Sequence, residues 1–67
     1  MTDKIIIRKY LADTSKSLDE LAKTLRQYIK EVDAPKAEAL FETSAEVLKG
    51  LKHAYDDFLQ SNEKTWK

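Results

Sequence analysis

Val32-Asp33-Ala34-Pro35, near the midpoint of the 67 residues, is the stretch that decides the fold. Pro35 lacks an amide proton and disfavours helical dihedrals at Ala34, yet its fixed φ suits the first turn of a new helix. The hydrophobic period is helical on both sides of this break, so it joins two helices. Asp33 is the expected N-cap of the second, and Glu38 in its first turn suits the helix dipole. So short a connection must fold the helices back antiparallel.

Before the break, apolar positions step by four and three through Ile7, Leu11, Thr14, Leu18, Leu21, Leu25, Tyr28 and Val32. All but Thr14 are apolar or aromatic, which makes a heptad seam with Leu11, Leu18, Leu25 and Val32 at a and the others at d. Thr2 or Asp3 can cap its start. A competing reading arises at 12–17, where the residues are weak helix formers and Ser17-Leu18-Asp19-Glu20 fits a capping box. Lys4 to Leu11, with three consecutive isoleucines, would then be a strand or a separate short helix. Continuity is favoured because the heptad phase passes through the polar patch without a slip. A helix over 3–32 would also run about 45 Å, close to the roughly 40 Å of its partner.

After the break the seam repeats as Ala37, Phe41, Ser44, Leu48, Leu51, Tyr55, Phe58 and Asn62. Pairing outward from the turn sets Tyr28 against Phe41, Leu25 against Ser44, Leu21 against Leu48 and Leu11 against Phe58, so large residues often meet small ones. Thr14 opposite Tyr55 is expected to form a hydroxyl pair. The expected architecture is all-α, an antiparallel two-helix hairpin. Residues 1–67 form one domain, with a helix over about 3–32, a turn at 33–34, a helix over about 35–62 and a tail, 63–67, that frays.

One such hairpin looks unfinished. A chain of this size buries only about 60% of its unfolded surface, which leaves a lone helix pair marginal. The second helix carries an extra apolar row at g (Leu40, Val47 and Ala54), with Ala45 and Leu59 at e. Thr43 and Gly50 run beside the g row and would let another backbone approach. On the first helix, Ala22 and Ile29 flank the seam at e and Tyr10 flanks it at g. Two helices cannot cover both flanks, and each exposed Leu or Val forgoes about 1.5–3 kcal/mol of burial. The simplest closed solution is a homodimer forming a four-helix bundle. Leu40, Val47, Gly50 and Ala54 are the candidate association residues, and Tyr10 and Trp66 the candidate contacts to another protein.

Composition narrows the function. Cysteine is absent, which excludes disulfides and thiolate metal sites and fits a reducing compartment, and twelve Lys/Arg balance twelve Asp/Glu, so no global field selects nucleic acid or an anionic membrane. The apolar run at the start is only three residues, too short for a signal peptide or a membrane span, and the expected location is cytoplasmic. His53, the only histidine, lies on the outer f face with no second histidine or cysteine to share a metal. The carboxylate pairs Asp19/Glu20, Glu42/Glu46 and Asp56/Asp57 fall on or near outward faces, whereas acid-base chemistry needs desolvated carboxylates with separated pKa values. No phosphate loop or nucleophile motif is present, so the expectation is a non-enzyme without cofactor or metal.

Lys9, Lys16, Lys23 and Lys30 recur every seven residues at f on the first helix. Doubled in a dimer, the row could track a phosphate backbone, which is the alternative reading. Lys9–Asp13, Lys16–Glu20 and Asp19–Lys23 are each four apart, however, and read as surface ion pairs. Two antiparallel helices around an Asp33-Ala34 turn resemble the ROP-type plasmid RNA-binding bundles, whose first helices face RNA. The resemblance covers the architecture and a few turn residues. The reading favoured is a small self-associating protein-interaction module of adaptor, chaperone or inhibitor type.

Overall fold

The computed structural model describes residues 3–62, the side chains of 61 and 62 excepted. It contains two helices, α1 (Lys4–Glu31) and α2 (Pro35–Asn62), of 28 residues each, and no strand among the described residues. At 1.5 Å per residue each spans about 42 Å, so neither leaves a large part of the other uncovered.

Asp3 caps α1: its carboxylate accepts the Ile5 amide at 2.7 Å, and its carbonyl accepts the Ile7 amide at 3.0 Å. The polar patch at 12–17 stays helical, which decides for continuity over a strand or a separate helix. Thr14 is accommodated there by donating its hydroxyl to the Tyr10 carbonyl at 2.8 Å, one turn back, and Thr24 does the same to Glu20 at 3.0 Å. Thr14 therefore uses its proton within its own helix, and the expected hydroxyl pair with Tyr55 does not form.

α1 stops where Val32 turns extended (φ −91°, ψ 151°), its amide still reaching the Tyr28 carbonyl at 3.0 Å. The carbonyl that opens the ladder of α2 is that of Ala34, which accepts from the Glu38 amide at 2.9 Å. The residue whose carbonyl takes the first intrahelical bond is the N-cap, so Ala34 and not Asp33 occupies that place. Pro35 at the first helical position fixes this register, and Asp33 falls one residue too early to cap.

The interhelical seam is rotated from the expected one. Large a residues are half-buried and the buried residues lie at e; at d, Ile7, Thr14, Ala37 and Ser44 are half-buried while Leu21, Tyr28, Leu51 and Phe58 are exposed. On α1 the inner row runs Leu11, Ser15, Leu18, Ala22, Leu25, Ile29, Val32, and on α2 it runs Glu38, Phe41, Ala45, Leu48, Lys52, Tyr55, Leu59. Ala45, Ser15 and Ala22 are the three buried described residues, at 0%, 6% and 7% exposure. The physical reason is size. Small side chains between the helices let the two axes approach, and the a-row leucines then close over them from one side. Tyr28 and Phe41 do meet as a layer, with ring centroids 5.7 Å apart and tilted by 58°.

The result is a rod of 50 × 16 × 16 Å with a radius of gyration of 15.3 Å, against about 11 Å for a compact domain of this length. A rod two helices thick has almost no interior.

Candidate interaction face

Rotating the seam toward e turns the d and g rows outward together, and antiparallel packing places those rows of both helices on one side of the rod. Leu21 and Tyr28 come from d of α1, Leu51 and Phe58 from d of α2, and Leu40 and Val47 from g of α2; all six are exposed. A groove lined by Leu21, Leu25, Thr43, Ser44, Val47 and Leu48, and another lined by Leu11, Tyr55 and Phe58, show that the two helices contribute to the same side. Leu40 and Val47 are the most open of the six, at 65% and 57% exposure. No described apolar side chain larger than alanine is buried: nine large ones are exposed, and the others are half-buried along the seam.

Of the association residues named from the sequence, Leu40, Val47 and Ala54 lie along the outer edge of this face, and Gly50 lies beside them at c, also exposed. A β-carbon built at Gly50 would meet nothing within 4 Å, and its φ is not positive. Nothing inside the hairpin therefore requires glycine there, although glycine in mid-helix costs about 0.5–1 kcal/mol relative to alanine. Tyr10 is exposed at g of α1, near Ile5 and Ile6, which also stand open at the start of that helix. Trp66 lies outside the described residues. Sequence reasoning assigned Leu21, Tyr28, Leu51 and Phe58 to the seam and so missed them as surface. The signal that could have found them was the small residues Ser15, Ala22 and Ala45 at e.

The opposite flank is polar. Ser15 donates to the Asp56 carboxylate at 2.5 Å, bridging the helices, and Lys52 pairs with the other oxygen of Asp56 at 2.6 Å. The Lys52 hydrogen bond, then that of Ser15, hold the Asp56 carboxyl below its ordinary value against the opposing effect of burial. Asp56 in turn raises Lys52 above the ordinary lysine range. Arg26 reaches Glu46 across the helices at 3.5 Å.

On the outer f row, Lys9 pairs with Asp13 and Lys23 with Asp19, each at 3.1 Å, while the third expected pair, Lys16–Glu20, is not formed. Lys16 and Lys30 are exposed, as is His53. Among the described residues no group of three or more His, Asp or Glu side chains is placed to hold a metal ion. No described helix is long and apolar enough to cross a membrane.

No family model, curated protein or solved structure matches the chain.

Its functional reading therefore rests on the chemistry of these surfaces. One flank of the rod carries six exposed large apolar side chains with a polar edge along α1, and the other carries the Ser15–Asp56–Lys52 cluster and the Arg26–Glu46 pair.

Proposed function

We propose that this chain is a non-enzymatic interaction module that pairs with itself through the d and g rows, as a homodimeric four-helix bundle, and offers a remaining apolar patch to another protein. The observation that carries the reading is the inversion of burial. Ala22 and Ala45 are the buried apolar residues, while Leu21, Tyr28, Leu40, Val47, Leu51 and Phe58 are exposed together on one side. Fully burying a side chain of this kind is worth about 1.5–3 kcal/mol, so covering the face supplies what a marginal hairpin lacks.

The size of the face fits the proposal. The long side of the rod measures 50 by 16 Å, and a stable protein interface takes about 800 Å² of accessible surface from each partner. A dimer that covers it leaves Ile5 and Ile6 at the outer start of α1, with Tyr10 at the rim, as the place where a different protein would dock. A cytosolic setting belongs to this reading, with the cysteine-free composition as its support. Nucleic-acid binding through Lys9, Lys16, Lys23 and Lys30 is the weaker reading, because Lys9 and Lys23 are already paired with acids.

The test is the native mass of the wild type beside Val47→Glu. The wild type should run as a dimer. The variant should keep helical circular dichroism at high protein concentration and run as a monomer. An unchanged mass in the variant would reject the face.

A further inference from the structure

We infer that the occupant of the apolar face is a second copy lying antiparallel to the first, with α2 against α2 and the two-fold axis crossing at Val47. This arrangement rests on the self-association proposed above and adds its geometry.

Two closed two-fold packings are open to an antiparallel hairpin that buries one side. With the axis along the rod, α1 covers the α2 of the second copy. With the axis across the rod, α1 covers α1 and α2 covers α2. The rows at the edge of the face discriminate between them. On α2 the g row is Leu40, Val47, Ala54, and on α1 it is Tyr10, Ser17, Thr24, Glu31, all exposed. The axis along the rod would set Leu40 over Glu31, Val47 over Thr24 and Ala54 over Ser17, pairing apolar with polar at each step. It would also bring Asp13 over Asp57, two like charges, twice in each dimer.

The crossing axis sorts the same rows by kind. Leu40 then meets Ala54 of the second copy and Val47 meets the second copy's Val47, large against small around a self-paired centre. Ser17 and Thr24 of the two copies form the polar edge on the α1 side.

The neighbouring c row of α2 reads Lys36, Thr43, Gly50, Asp57, and all four residues are exposed. Run antiparallel against itself about the same level, it sets Lys36 opposite Asp57 and Thr43 opposite Gly50. Neither Lys36 nor Asp57 has an ion pair among the described residues, and Gly50 has open space where a β-carbon would stand. The size order centres on Val47 and the charge order half a residue before it, close to the single centre that an isologous interface requires. Gly50, about one turn from that centre and opposite Thr43, leaves the α2 backbones room to approach.

The absence of native cysteine makes the test direct. Single variants Val47→Cys, Thr24→Cys and, on the outer face, His53→Cys are treated with diamide at a concentration where the wild type is a dimer. Val47→Cys without a second variant should convert to a covalent dimer at least tenfold faster than His53→Cys. If it does not, and a mixture of Val47→Cys with Thr24→Cys cross-links instead, the axis runs along the rod; this inference then fails while self-association stands. A monomeric wild type by sedimentation would overturn both. A charge exchange gives a second readout. Lys36→Glu and Asp57→Lys should each weaken self-pairing on the order of tenfold. Mixed together, they should form the heterodimer in preference to either homodimer. Independence of the two substitutions would contradict the Lys36–Asp57 pairing.

Discussion

Ser15 on α1 donates its hydroxyl proton to Asp56 on α2, a side chain 41 positions away, beside a largely apolar seam. This bond fixes the rotation of the helices about their axes. A helix pair with only leucine between its members could slide toward the d rows. A buried serine needs a partner for its hydroxyl, and the rotation of the seam provides one. Ser15→Ala should therefore lower the denaturation midpoint and loosen the choice of seam, read as weaker amide protection along α2.

The same cluster sets the pH response. Asp56 has its carboxyl pKa lowered, first by the Lys52 hydrogen bond and then by that of Ser15. Its contribution is complete above the unfolded carboxylate value, about 3.9, and is lost as pH falls through the lower folded value. Lys52 has its pKa raised, so its contribution is complete below about pH 10.4 and is lost as pH rises through the folded value. Denaturation midpoints should form a plateau between these limits and fall outside it. Asp56→Asn should flatten both limbs, and a wild-type profile retained in that variant would contradict the assignment.

Ala45 has no accessible surface. Ala45→Leu should force the helices apart and cost about 1–3 kcal/mol by urea denaturation, despite the gain in hydrophobicity. A stabilised variant would mean that the seam is not where it is described.

Gly50→Ala separates intrinsic helix stability from association. In an isolated hairpin it should stabilise by about 0.5–1 kcal/mol, since the added methyl meets nothing. If a second backbone packs there, the dimer should weaken while the helix gains. The sign is read by comparing melting temperature with dissociation constant across a dilution series.

The lysine row gives a contrasting expectation. Lys16→Gln with Lys23→Gln should leave dimer mass unchanged. Binding to RNA or DNA at low ionic strength that disappears in this variant would revive the nucleic-acid reading.

That the chain is a helical hairpin is legible from the period on either side of Val32-Asp33-Ala34-Pro35, because proline chemistry and apolar spacing point the same way. The rotation of the seam is not legible from hydropathy. Leu21, Tyr28, Leu51 and Phe58 outweigh Ser15, Ala22 and Lys52 on any hydrophobic scale, so a pattern argument puts the former inside. Packing prefers the small residues, which allow close approach, and gives serine a buried acceptor on the other helix. The position of the N-cap at Ala34 was hidden for a similar reason: composition favours Asp33, but Pro35 sets the register. Leu40 and Val47 were legible as surplus because a two-helix unit has only one inner side. Their companions on the face emerge only once the rotation is known.

The central claim is that the face carrying Leu21, Leu40, Val47, Leu51 and Phe58 is covered by another copy of the chain. Sedimentation equilibrium at low micromolar concentration measures this most directly. The mass should be twice the 7.7 kDa of the chain and should fall to that value in Val47→Glu. A wild-type protein that stays folded at 7.7 kDa under those conditions would contradict the account.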